Sequence, residues 1–152
     1  MRPLHILGLT ALITTAASPM TAQDFAAPLG ARQGEMQILA LNLGVLGGMA
    51  RGSMAYDPTL ATAAAGNIVA VASLNQAPFW PEGSDAGSIA DTRAEAAIWS
   101  GMDDFAMKWA DLGDAAQSLE TAAANGQEAL GPALGQIGGA CKACHDTYRT
   151  PE

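Results

Sequence analysis

Basic residues, cysteine and histidine are all scarce in this chain of 152 residues. Seven Lys+Arg stand against 15 Asp+Glu, a formal net charge of −8, so the basic footprint that a nucleic-acid surface needs is missing. Cys141 and Cys144 are the only cysteines, and His5 and His145 the only histidines. That is too few for a multi-bridge disulfide framework. A zinc site of four N or S ligands would have to recruit His5 from the far end of the chain. No stretch beyond residue 22 holds the ~20 apolar residues of a membrane helix. Nor does any segment show the two-residue alternation of a half-buried strand; apolar residues recur every three or four positions instead.

What is present concentrates near the end, in Cys141-Lys142-Ala143-Cys144-His145. Two cysteines three apart, followed at once by histidine, form the pattern of covalent c-type haem attachment. On a helix, positions 141 and 144 share a face, so two thiols can reach the two vinyl groups of one haem while His145 offers its imidazole to the iron. The competing readings are a redox disulfide, which wants a βαβ context, and half of a zinc site.

Residues 1–22 read as a secretory signal: Arg2 is the positive start, Ile6 to Ala17 the apolar run, and Ala22 a cleavage point. Export places the chain in the periplasm, where thiols reserved for haem need not pair. Cleavage removes Arg2 and His5 and leaves a mature domain, 23–152, one unit more negative. An acidic surface of this kind fits a basic redox partner protein or simple solvation, with no membrane contact after processing.

The apolar periodicity predicts four helices. The first spans about 28–54, with Leu29, Arg32, Met36, Leu39, Leu43, Leu46 and Ala50 inward; its glycines at 44, 47, 48 and 52 imply close approach by a neighbour or a frayed end. The second opens at Asp57-Pro58, an N-cap followed by proline at the first helical position, with Leu60, Ala64, Asn67, Val71 and Leu74 inward. A crossover rich in Pro, Gly, Ser and Asp runs from 75 to 88 and carries Phe79 and Trp80. The third helix starts at a Thr92/Glu95 capping box and reaches about 124. Its stripe is Ile98, Trp99, Met102, Phe105, Trp109, Leu112, Ala116, Leu119 and Ala123. The fourth carries Leu130, Leu134, Ile137, Cys141, Cys144 and Tyr148, with Pro132 in its first turn or at a kink. The expected fold class is all-α, an antiparallel four-helix bundle with haem c bound covalently between helices.

The run Gly139-Ala140-Cys141-Lys142-Ala143-Cys144-His145-Asp146-Thr147-Tyr148-Arg149, together with Ile98-Trp99, Phe105 and the Arg32-Gln33 pair, resembles the cytochrome c prime or class II cytochrome c family. The resemblance covers the whole mature chain. It implies one haem c on Cys141 and Cys144, with His145 as proximal iron ligand and Arg149 beside the proximal face. It further implies Arg32 and Gln33 near the haem edge and Arg93 at a propionate. Four positions after its arginine, the family carries either a bulky non-ligating residue or, in its low-spin branch, an iron-ligating methionine. Here that position is Met36, whose thioether suits haem iron. The expectation is therefore a one-electron carrier with His145/Met36 ligation and no enzymatic activity, since no distal histidine exists for acid–base work. The alternative is a five-coordinate, high-spin site binding NO or CO. The resemblance also implies a homodimer through the first two helices.

Overall fold

The computed structural model describes residues 25–151, so the expected signal, 1–22, lies outside the described residues. Four long helices, α1 (Ala26–Ala50), α2 (Pro58–Ala72), α4 (Met102–Ala123) and α5 (Gln127–Tyr148), are joined by a four-residue α3 (Ala97–Ser100). Contacts close a ring in which α1 meets α2, α2 meets α4, α4 meets α5 and α5 returns to α1, the arrangement of an up-and-down bundle. No described helix is long and apolar enough to cross a membrane.

α2 begins as its sequence dictates, with the Asp57 carboxylate accepting from Leu60 N at 2.8 Å and Pro58 at the first helical position. α1 holds its glycines as helix and stops at Gly52, whose φ of +72° suits a residue without Cβ. The Gly52 N–H then bonds Met49 O at 3.0 Å. Fraying is thus confined to the last expected turn. At Gly47 a Cβ would stand 2.9 Å from Arg51 Nη1, a contact within the helix end and not the approach of a neighbour.

The inward face of α2 differs from the expected stripe. Ala61, Ala64, Ala65, Ile68, Val71 and Ala72 are buried, whereas Leu60 and Leu74 are 46% and 43% exposed. On a helix that is apolar nearly all round, periodicity cannot choose a face; packing chose the alanines, which let α2 lie close to its neighbours. Asn67 keeps its place by donating to Asn42 Oδ1 at 3.0 Å across the α1–α2 seam. Trp109 and Tyr56 tie other seams by donating to Ala72 O and Ala123 O.

The third expected helix is broken. Thr92 and Glu95 form no capping box; the Thr92 hydroxyl accepts from Ala94 N at 3.2 Å, and Ala94 bridges antiparallel to Arg149. The helical run proper begins only at Ala97 and is interrupted at Gly101. Tyr148 stands against the break: its hydroxyl donates to Gly101 O at 3.2 Å, and a Cβ on Gly101 would lie only 2.8 Å from it. Pro132 lies inside α5, beyond the first turn, and the helix runs on to Tyr148 despite the missing N–H.

Two hydrophobic clusters result. The larger is the bundle core, with Leu39, Leu46, Met49, Ile68, Leu119, Leu130 and Ile137 among its members. The smaller holds Ala94, Ile98, Phe105 and Tyr148, with Trp80 and Trp99 packed against it. Cys141 packs on the first cluster and Cys144 on the second.

Candidate haem site

The last two turns of α5 carry Cys141, Cys144 and His145. Both cysteines are free and half-buried. Burial pushes both thiols above their ordinary pKa; for Cys144 nearby Lys108 works in the opposite direction. They therefore stay protonated at neutral pH, the form in which a thiol keeps the hydrogen it brings to a vinyl group. A thiol pair on one face, straddling two apolar clusters, is a donor set and a setting that fit a planar apolar macrocycle attached at two points.

His145 lines a cavity of ≈ 410 Å³ together with Arg93, Glu95, Ala97, Arg149 and Thr150. Its pKa is lowered first by burial, then by the charges of Arg149 and Arg93, with Asp146 opposing them. These effects favour the neutral imidazole, the form that can bind a metal. The chain end forms one wall of this cavity. Glu95 N donates to Tyr148 O and Thr150 N to Arg93 O, each at 2.9 Å, while the Arg93 guanidinium donates to Thr150 O. Tyr148 fixes the helix above it by donating to Asp104 Oδ2 at 2.7 Å, a bond that raises its pKa to about 12.

Residues 27–149 match the family model described as Cytochrome C′. The chain belongs to the cytochrome c′ family. It is 38% identical to cytochrome c-554 of Cereibacter sphaeroides over 98% of each chain. Its fold matches the solved cytochrome c′ of Rhodobacter sphaeroides with a TM-score of 0.80 at 36% identity, covering 85% of this chain and 99% of that one. A ferrous cytochrome c′ variant from Alcaligenes xylosoxidans with bound NO matches at TM-score 0.71 and 26% identity, over 89% of this chain and all of that one. Members of the family bind one covalent haem c and act as electron carriers or gas-binding haem proteins.

Against that background the expected site residues divide into two groups. Cys141, Cys144, His145, Arg149 and Arg93 come together at the end of α5. Arg32, Gln33 and Met36 stand on α1, with Arg32 and Gln33 turned to the crossover. Arg32 is 3% exposed; its Nη1 donates to Ser84 Oγ at 2.7 Å, and its Nη2 to Ser84 O at 2.7 Å and Thr92 Oγ1 at 2.8 Å. Its guanidinium lies 4.6 Å from the Trp80 ring centroid. Gln33 donates to Asp91 O at 2.6 Å. Both terminal nitrogens of Arg32 are thus engaged by the loop. Met36, one turn further along the same face, is 36% exposed and belongs to neither cluster. Of the other methionines, Met49 is fully buried core and Met54, Met102 and Met107 are exposed.

Sequence reasoning missed Asp104, Gln76 and Glu35. Glu35 is 5% exposed, accepts from Gln76 Nε2 at 3.5 Å, and leaves Oε2 without a partner. Burial raises its pKa. Only its place on the buried stripe of α1, one position from Met36, could have pointed to it.

Proposed function

We propose that this chain holds one haem c through thioethers to Cys141 and Cys144, with His145 as the axial ligand, and leaves the opposite face open to NO or CO. The observation that carries this reading is the likeness to solved cytochromes c′, one of them a variant with bound NO. Met36 is 36% exposed and is packed into neither apolar cluster. The bound haem supplies a redox-active iron with an exchangeable sixth position. The chain supplies a neutral imidazole, two anchoring thiols and apolar walls, which favour small uncharged ligands over anions. Arg149 and Arg93 line the cavity on the His145 side, where Arg93 would suit a haem propionate.

One observation favours the second reading, a six-coordinate electron carrier with His145/Met36 ligation. Met36 shares a helix face with Arg32, which reaches the cluster against which Cys144 packs, and ligation by Met raises the reduction potential suited to a shuttle. In either case the periplasm is the place of work, a redox protein the partner, and the role is that of a carrier or binder and not of an enzyme. The exposed Ile38 and Leu41 of α1, 46% and 69% accessible, support pairing of two copies through the first helices.

The test is the visible spectrum of the reduced, purified holoprotein before and after CO. A broad high-spin spectrum that shifts on adding CO is expected. Sharp, split low-spin bands indifferent to CO, converted by Met36→Leu into the CO-sensitive form, would establish the second reading in its place.

A further inference from the structure

Trp80 is restrained on every side. Arg32 stacks on its face at 4.6 Å, and Phe105 meets it in a T-shaped contact at 4.9 Å and 67°. Its indole N–H donates to Gln76 Oε1 at 2.9 Å, while its carbonyl accepts from Trp99 Nε1 at 3.0 Å. Gln76 in turn leans on the buried Glu35. The second anchor of the segment is Ser84, 1% exposed, which accepts from Arg32 and donates to Pro81 O. Three side chains within one turn of α1, Arg32, Gln33 and Glu35, therefore hold a crossover whose regular structure is a single 3₁₀ turn, Ala77–Phe79.

Buried polar groups are costly unless hydrogen-bonded, and a satisfied network such as this one rigidifies the segment it holds. What it fixes is an indole, half-buried at the edge of the cluster on which Cys144 packs. Trp80 and Cys144 pack on the same small cluster, and Trp80 lies outside the lining of the His145 cavity.

We infer that Trp80 is the gate for small ligands entering on the α1 side, and that Arg32 and Gln76 are the positioning residues that keep it closed. This rests on the gas-binding reading above. Trp80 then sets the entry rate and the size of ligand admitted, whereas the iron ligands set affinity. Arg32 acts through Trp80, by cation–π stacking and by clamping Ser84 and Thr92, and not by touching the ligand.

The experiment is flash photolysis of the CO adduct of the ferrous holoprotein, comparing Trp80→Ala, Trp80→Phe, Arg32→Met and Arg32→Lys. Trp80→Ala should raise the CO association rate about tenfold, and Trp80→Phe, which keeps a ring in place, should stay near wild type. Arg32→Met should move the rate in the direction of Trp80→Ala, and Arg32→Lys should restore part of it. A merely structural role would lower the melting temperature and leave the association rate, measured well below it, unchanged. If wild type binds CO and Trp80→Ala binds it at the same rate, the gate is overturned while the gas-binding reading stands. If wild type ignores CO, that reading fails, and the same series in a Met36→Leu background decides the gate by the same criterion.

Discussion

Gly101 and Tyr148 form the joint between α3, α4 and the haem-bearing end of α5, and their coupling can be worked out in advance. The glycine has φ −127° and ψ 35°, a conformation open to alanine, so Gly101→Ala carries no backbone strain of the left-handed kind. It even gains about 0.5 kcal/mol from a less flexible unfolded chain. Its cost is steric: the new methyl would lie 2.8 Å from Tyr148 Oη and 3.3 Å from Ala97 O. Forcing a buried ring aside costs about 1–3 kcal/mol, so the net loss should be about 1–2 kcal/mol. Tyr148→Phe removes the hydroxyl and its bond to Asp104. Hydrogen bonds to charged groups contribute about 1.5–3 kcal/mol, but the Asp104 side chain is 47% exposed, and discounting for solvent leaves about 1 kcal/mol. In the double variant the atom that obstructs the methyl is gone. The pair should therefore cost about 1 kcal/mol less than the sum of the singles. Urea unfolding of the holoprotein, followed by helical circular dichroism and by haem absorbance, measures all three. Additivity within about 0.4 kcal/mol would refute the claim that the tyrosine hydroxyl is what excludes a side chain at position 101.

Three further outcomes are expected. Asp57→Ala removes the cap of α2 and should cost about 1 kcal/mol, read as a lower urea midpoint at unchanged slope. Glu35 is held above its ordinary pKa of 4.5 by burial, so its contribution to stability is complete below about pH 4 and is lost as pH rises through the folded value. Glu35→Gln should accordingly gain on wild type as pH is raised from 4 to 8, and equal pH profiles for the two proteins would contradict the burial argument. A Cys141→Ser/Cys144→Ser double variant should release its haem on denaturation, leaving a polypeptide whose mass lacks the cofactor, whereas wild type retains it.

The all-α class, the capped start of α2 and the haem-binding run were legible because each depends on residues close together in the chain. Aspartate before proline caps a helix wherever it stands, and two cysteines three apart share a face of whatever helix carries them. The stripe of α4 was readable for the same reason, since Phe105, Leu112, Ala116, Leu119 and Ala123 are buried as their spacing demands. Other features were decided by contacts between distant segments. α2 is apolar nearly all round, so its buried face depended on which neighbours could come closest to alanine. The Thr92/Glu95 pair had the sequence of a cap but was drawn into pairing with the chain end. The contact of Gly101 with the hydroxyl of Tyr148, 47 residues away, could not be read locally. Arg32 stood on an apolar stripe in the sequence, and nothing local could say that its guanidinium would be spent on Ser84, Thr92 and Trp80. Local chemistry determined which cofactor this protein can attach and where; the tertiary structure decided what surrounds it, because only packing brings α1, the crossover and the end of α5 to one place.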